Sequence, residues 1–87
     1  MTEIGSETDW QANDANSTGT NFTLTASFTI SGSIGKINLG TGDTFDGAGY
    51  VITLNGLTSF AGLFDLKGGT IKDLGVVTEN TCTLATD

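Results

Sequence analysis

Beyond residue 21 the chain alternates. Phe22, Leu24, Phe28 and Ile30 occupy even-numbered positions, with Thr and Ser filling most of the odd ones. A period of two is the signature of a strand with one face turned inward. Further short apolar runs follow at 34–39, 44–45, 50–54, 60–64, 70–77 and 81–84. Between them lie Gly32, Gly40-Thr41-Gly42, Gly47-Ala48-Gly49, Asn55-Gly56 and Gly68-Gly69, so turn signals recur every 5–10 residues. No stretch sustains the 3.6-residue apolar spacing of a helix. Residues 1–21 are different in kind: polar and aperiodic, with Ile4 and Trp10 standing out. A short helical turn is expected there over 7–15, capped by Ser6 or Thr8.

Short strands at regular spacing suit a sandwich, a barrel or a stack of coils, and an internal repeat favours the last. Residues 44–54 can be laid over 63–74 with one extra glycine in the second copy. That alignment pairs Phe45 with Phe64, Asp46 with Asp65, Gly49 with Gly68, Val51 with Ile71, and Leu54 with Leu74. Upstream, a looser match pairs Phe28 with Phe45, Ile34 with Val51, and Ile37 with Leu54. The repeat is then 17–20 residues in about three copies. Each copy would form one coil, its apolar side chains stacked on the next coil about 4.8 Å away. The expected fold is all-β: a short right-handed parallel β-helix, or β-solenoid, of about three coils. Residues 1–21 form its N-terminal cap and 22–87 its coils.

Specific segments carry a resemblance. Phe45-Asp46-Gly47-Ala48-Gly49-Tyr50-Val51-Ile52, then Gly62-Leu63-Phe64, then Gly69-Thr70-Ile71-Lys72-Asp73-Leu74-Gly75-Val76 are similar to the opening coils of right-handed parallel β-helix proteins. Those belong to the pectate-lyase-like superfamily and to related surface adhesins. The resemblance spans roughly residues 22–80. It implies the fold and an extracellular or surface setting. It implies little about activity, because the superfamily holds lyases, hydrolases, adhesins, tailspikes and structural proteins. Three coils are few for this group and lack its long substrate groove. The basic residues its lyases use are also missing, for the chain has neither His nor Arg.

Composition adjusts this picture in three ways. The 13 Gly, 16 Thr, 6 Asn and absence of Pro agree with many short strands and tight turns. The net charge of −7, with three lysines (Lys36, Lys67, Lys72), excludes a basic nucleic-acid surface and disfavours anionic membranes. Glu3, Glu7, Asp9 and Asp14 crowd the N-terminal segment without a basic neighbour in sequence. The single cysteine, Cys82, permits no internal disulfide. No basic-then-apolar leader opens the sequence, and no run approaches the ~18 apolar residues of a membrane helix.

The chemistry candidates are modest. Asp43 and Asp46 in a Gly-rich loop invite a calcium test, but neither nine-residue β-roll spacing nor an EF-hand pattern is present. The expected role of Asp46 is a turn, bonding its own backbone. Asp43, Asp46, Asp65 and Asp73 as paired glycosidase carboxylates would need a cleft, which three coils do not offer. No catalytic residue, metal ligand or cofactor is expected. Trp10 and Tyr50 are the candidate sugar platforms of the alternative reading, a carbohydrate-binding or adhesin-type fragment of a larger β-helix surface protein. For Trp10 a plug over the end of the core is favoured.

The favoured reading follows from the small number of coils. A solenoid end exposes strand edges and core, and natural arrays cap them. Residues 1–21 supply one cap, while 78–87 show no comparable one. Self-association into a homo-oligomer or filament is expected at that end, or through an apolar flank of Phe60, Leu63, Phe64, Val77 and Leu84; the other reading of that end is the start of a longer protein.

Overall fold

A computed structural model describes residues 1–57 and 62–79. Strand β1 (Thr2–Ile4) and helix α1 (Glu7–Asn13) come first. Eight short strands follow: β2 (Phe22–Leu24), β3 (Phe28–Ile30), β4 (Ile37–Gly40), β5 (Thr44–Asp46), β6 (Val51–Asn55), β7 (Phe64–Lys67), β8 (Thr70–Lys72) and β9 (Gly75–Glu79). They build three sheets, ordered β1-β2-β5-β8, β3-β6-β9 and β4-β7, and every strand pair within them is parallel. This is a parallel β-solenoid of about three turns. One coil comprises β2, β3 and β4; the next comprises β5, β6 and β7; β8 and β9 belong to the third.

The local chemistry explains where strands stop. The alternating stretch 22–30 is two strands, because the chain bends through Thr25-Ala26 to begin the next side of the coil. The stretch 70–77 is likewise divided at Asp73, whose φ is 51°. The turn Gly47-Ala48-Gly49-Tyr50 closes with the Tyr50 N–H donating to Gly47 O at 2.8 Å. Its central residues have φ of 52° and 83°, the signs of a type I′ turn. Gly47 has a second constraint: a Cβ there would collide with the backbone of Asp73 and Leu74 in the next coil. The Gly47 and Gly49 N–H groups donate instead to Lys72 O and Asp73 O, tying the second coil to the third.

The coil repeat is longer than the 17–20 residues expected. Phe22 lies beside Phe45, 23 residues on; Phe28 lies beside Ile52, 24 on; Ile37 lies beside Phe64, 27 on. Val51 meets Gly75, 24 on, and Thr44 meets Thr70, 26 on. Phe45 therefore stacks between Phe22 and Ile71, not on Phe64, and Leu54 stacks between Ile30 and Thr78, not on Leu74. The misleading similarity has a physical origin. Phe45-Asp46 and Phe64-Asp65 lie on two sides of the same coil, each pair followed by a glycine of positive φ (Gly49, 83°; Gly68, 98°). Both sides need an inward aromatic and a turn, so they look alike without being stacked. The two rings do meet across the core, edge to face, with centroids 4.8 Å apart.

That core is narrow and closed at one end. Ile4, Trp10, Phe22, Leu24, Ile30, Ile37, Leu39, Phe45, Ile52, Leu54, Leu57 and Leu63 are buried. The Trp10 ring is fully buried and packs on Phe45 (5.8 Å between centroids) and Phe64 (5.6 Å). Its indole N–H donates to Gly35 O at 3.0 Å. The expected plug is what the indole forms.

Candidate functional site

The two ends of the solenoid differ, and the difference begins with side chains. At the N-terminal end, segment 31–40 of the first coil presents an edge whose backbone groups need partners. The cap supplies them from side chains and backbone. Glu7 Oε2 accepts from the Ser31 and Gly32 N–H groups at 3.1 and 2.6 Å. Gln11 Nε2 donates to Ser33 O, Trp10 Nε1 to Gly35 O, and Asp14 Oδ2 accepts from the Gly35 N–H at 2.6 Å. The Ala15 N–H donates to Lys36 O. Asn16 then imitates a strand: its Oδ1 accepts from Asn38 N–H at 2.7 Å and its Nδ2 donates to Asn38 O at 3.0 Å. Asp43, the buried carboxylate, closes the row by accepting from Gly19 N–H and Gly40 N–H at 2.7 and 2.8 Å.

Contacts of this kind account for three of the four acids that had no basic neighbour in sequence. Glu7 and Asp14 are partnered by backbone N–H groups of another coil. Asp9 serves its own helix start, where Ser6 Oγ accepts from Asp9 N–H and Asp9 Oδ2 accepts from Gly5 N–H. This reciprocal bonding resembles a capping box. Hydrogen bonds to a charged acceptor are stronger than neutral ones, which suits an edge that must stay closed. Two first strands also lie at this end: β1, three residues long with charged Glu3 at its centre, and β3, on which α1 packs.

The C-terminal end is built differently. Among the described residues, β7, β8 and β9 are the last strands of their sheets. The buried ladders end on them. Leu39 is fully buried and its in-register neighbour Leu66 is 53% exposed; Ile52 is fully buried and its neighbour Val76 is 46% exposed. Ile71, beside fully buried Phe45, is partly buried. The side chains that continue the core have nothing laid over them among the described residues. Charge is mixed on this end. Lys67 lies 3.8 Å from Asp65 in an exposed pair, and Lys72 lies 3.9 Å from half-buried Asp46; long surface pairs of this kind contribute little stability.

The residues singled out in the sequence fall in several places. Leu63 is buried in the core and Phe64 is partly buried against it. Val77 is 49% exposed on β9, on the flank that continues Thr53. Phe60 and Leu84 lie outside the described residues. Tyr50 sits exposed on the turn before β6 while Trp10 is enclosed, so the two are not brought together as a sugar platform. Asp46 and Asp65 are not one coil apart: Asp46 stacks between Thr23 and Lys72, and Asp65 beside Asn38. Asp46 Oδ1 accepts from Ala48 N–H at 2.8 Å, the turn role expected of it. Asp43 and Asp46 are thus each engaged with backbone donors.

Sequence reasoning missed Leu66 and Val76. Laying the chain on itself at spacings of 24 and 27 would have found them, by placing Val76 over Ile52 and Leu66 over Leu39. Comparison with protein-family models, with curated proteins and with solved structures returned no match to this chain.

Proposed function

We propose that this chain is a non-enzymatic structural module of the right-handed, pectate-lyase-like kind, which self-associates through the C-terminal end of its solenoid. The observation that carries this reading is the exposure of Leu66 and Val76 directly above fully buried ladder neighbours. Full burial of such side chains is worth about 1.5–3 kcal/mol each, so covering the exposed half contributes roughly 1 kcal/mol apiece. Strand edges at the same end add backbone hydrogen bonds. A stack of four strand layers about 4.8 Å apart runs along the short 20 Å extent, so the ends lie across the 34 × 30 Å face and two of them offer up to roughly 2,000 Å², within the range of a specific interface. The non-enzymatic half of the proposal is supported by the carboxylates. Asp43 and Asp46 accept from backbone N–H groups, and Asp65 is paired with Lys67.

Light scattering across a concentration series tests the reading. A mass above that of the 8.9 kDa chain is expected at high protein concentration. A species that stays at the mass of one chain up to millimolar concentration refutes it.

A further inference from the structure

We infer that the assembly is closed: two copies meet C-terminal end to C-terminal end about a two-fold axis, and the N-terminal cap stops growth at the dimer. This rests on the self-association proposed above and goes further by specifying the partner surface and the stoichiometry. Head-to-tail stacking, which would give a filament, needs two complementary ends. The N-terminal end offers little to stack on. Ile4 and Trp10 are fully buried there, and Met1, just before β1, is an exposed large apolar side chain. The edge of segment 31–40 is already bonded by Glu7, Gln11, Asp14 and Asn16. The short edges of β1 and β3 remain; α1 packs on β3, and Glu3 in the middle of β1 is the type of charge that blunts strand addition.

The C-terminal end has the complementary properties. Leu66 and Val76 are half exposed there, and a two-fold contact covers them on both copies at once, whereas a head-to-tail contact covers one set against a polar cap. Charge points the same way. Residues 1–57 carry Glu3, Glu7, Asp9, Asp14, Asp43 and Asp46 against Lys36 alone, while 62–79 carry Asp65, Asp73 and Glu79 against Lys67 and Lys72. The acid-rich ends lie farthest apart when the C-terminal ends meet. An end that carries both Lys67 and Asp65 is also self-complementary under a two-fold, since lysine on one copy can face aspartate on the other.

The test combines mass with orientation in the full chain. Light scattering is expected to give twice the chain mass, constant over a hundredfold rise in concentration. In a Cys82→Ser background, Lys72→Cys or Lys67→Cys is expected to cross-link to itself with a flexible bis-maleimide, and Glu3→Cys is not. Leu66→Lys and Val76→Lys, made separately, are each expected to give folded monomers with unchanged circular dichroism. If one of these variants fails to fold, the other and the cross-linking still decide. A mass that climbs with concentration leaves self-association standing and overturns closure. So does cross-linking of Glu3→Cys to Lys72→Cys in a mixture. A dimer unaffected by both folded lysine variants moves the contact elsewhere and overturns the proposed surface. A monomer at every concentration overturns the underlying self-association.

Discussion

Ala48 occupies the first central position of a type I′ turn with φ of 52°, a region in which a Cβ is crowded. Glycine or asparagine is the usual occupant of such a position. Ala48→Gly should relieve about 1–2 kcal/mol of steric cost while adding unfolded-chain entropy worth roughly 0.4–1 kcal/mol, for a net gain near 0.5 kcal/mol. A melting temperature a few degrees higher is the expected measurement; a lower one would show that the turn does not strain the alanine. Trp10 illustrates the opposite relation between residue and environment. Its bulk lies against Phe45 and Phe64 and its one polar atom finds Gly35 O. Among the described residues, every buried side-chain polar atom has a partner, so the thin core carries no unsatisfied group to offset.

At the scale of elements, α1 is too short to be stable by itself, as isolated helices below about 12 residues are marginal. It is held by what it docks on. Trp10 enters the core, Glu7 and Asp14 reach down to the first coil, and Ser6 and Asp9 satisfy its start. Glu7→Ala removes the acceptor for two N–H groups at the coil edge and should cost about 1 kcal/mol, near the low end because Ser31 is exposed. Faster amide hydrogen exchange at Ser31 and Gly32 is the local signature to look for. Unchanged exchange there would mean that solvent already serves those groups. The helix was legible in the sequence as a short turn over 7–15 started by Ser6 or Thr8, of which Ser6 is the cap, whereas strand β1 was not. The roles of Glu7 and Asp14 were not, because their partners are backbone groups 21 to 25 residues away. Backbone amides leave no trace in residue identity, so a carboxylate bound to them looks unpaired in sequence.

Among the described residues the molecule is polar in two senses, with a capped, acid-rich end and one where the core's last ladder residues are half exposed and charge is nearly balanced. A chain of net charge −7 resists its own association, and the resistance weakens as salt shortens the Debye length from about 30 Å at 0.01 M to about 8 Å at 0.15 M. The dissociation constant of the dimer should therefore fall as salt rises, measured by sedimentation at several ionic strengths. A rise instead would mean that contacts between Lys67 or Lys72 and the aspartates of the other copy outweigh overall repulsion. What the sequence determined by itself was the kind of object. Alternation assigned Phe22, Leu24, Phe28 and Ile30 to an inner face, and glycines marked the bends. What only the tertiary structure decided was which strand lies on which. Alternation states the face of a strand, and any shift by an even number of residues preserves it. Coil length depends on how far each bend carries the chain, and that varies from 23 to 27 residues between the first two coils. The partners of Phe45 and Leu54, and with them the exposed places of Leu66 and Val76, follow from that accumulated length.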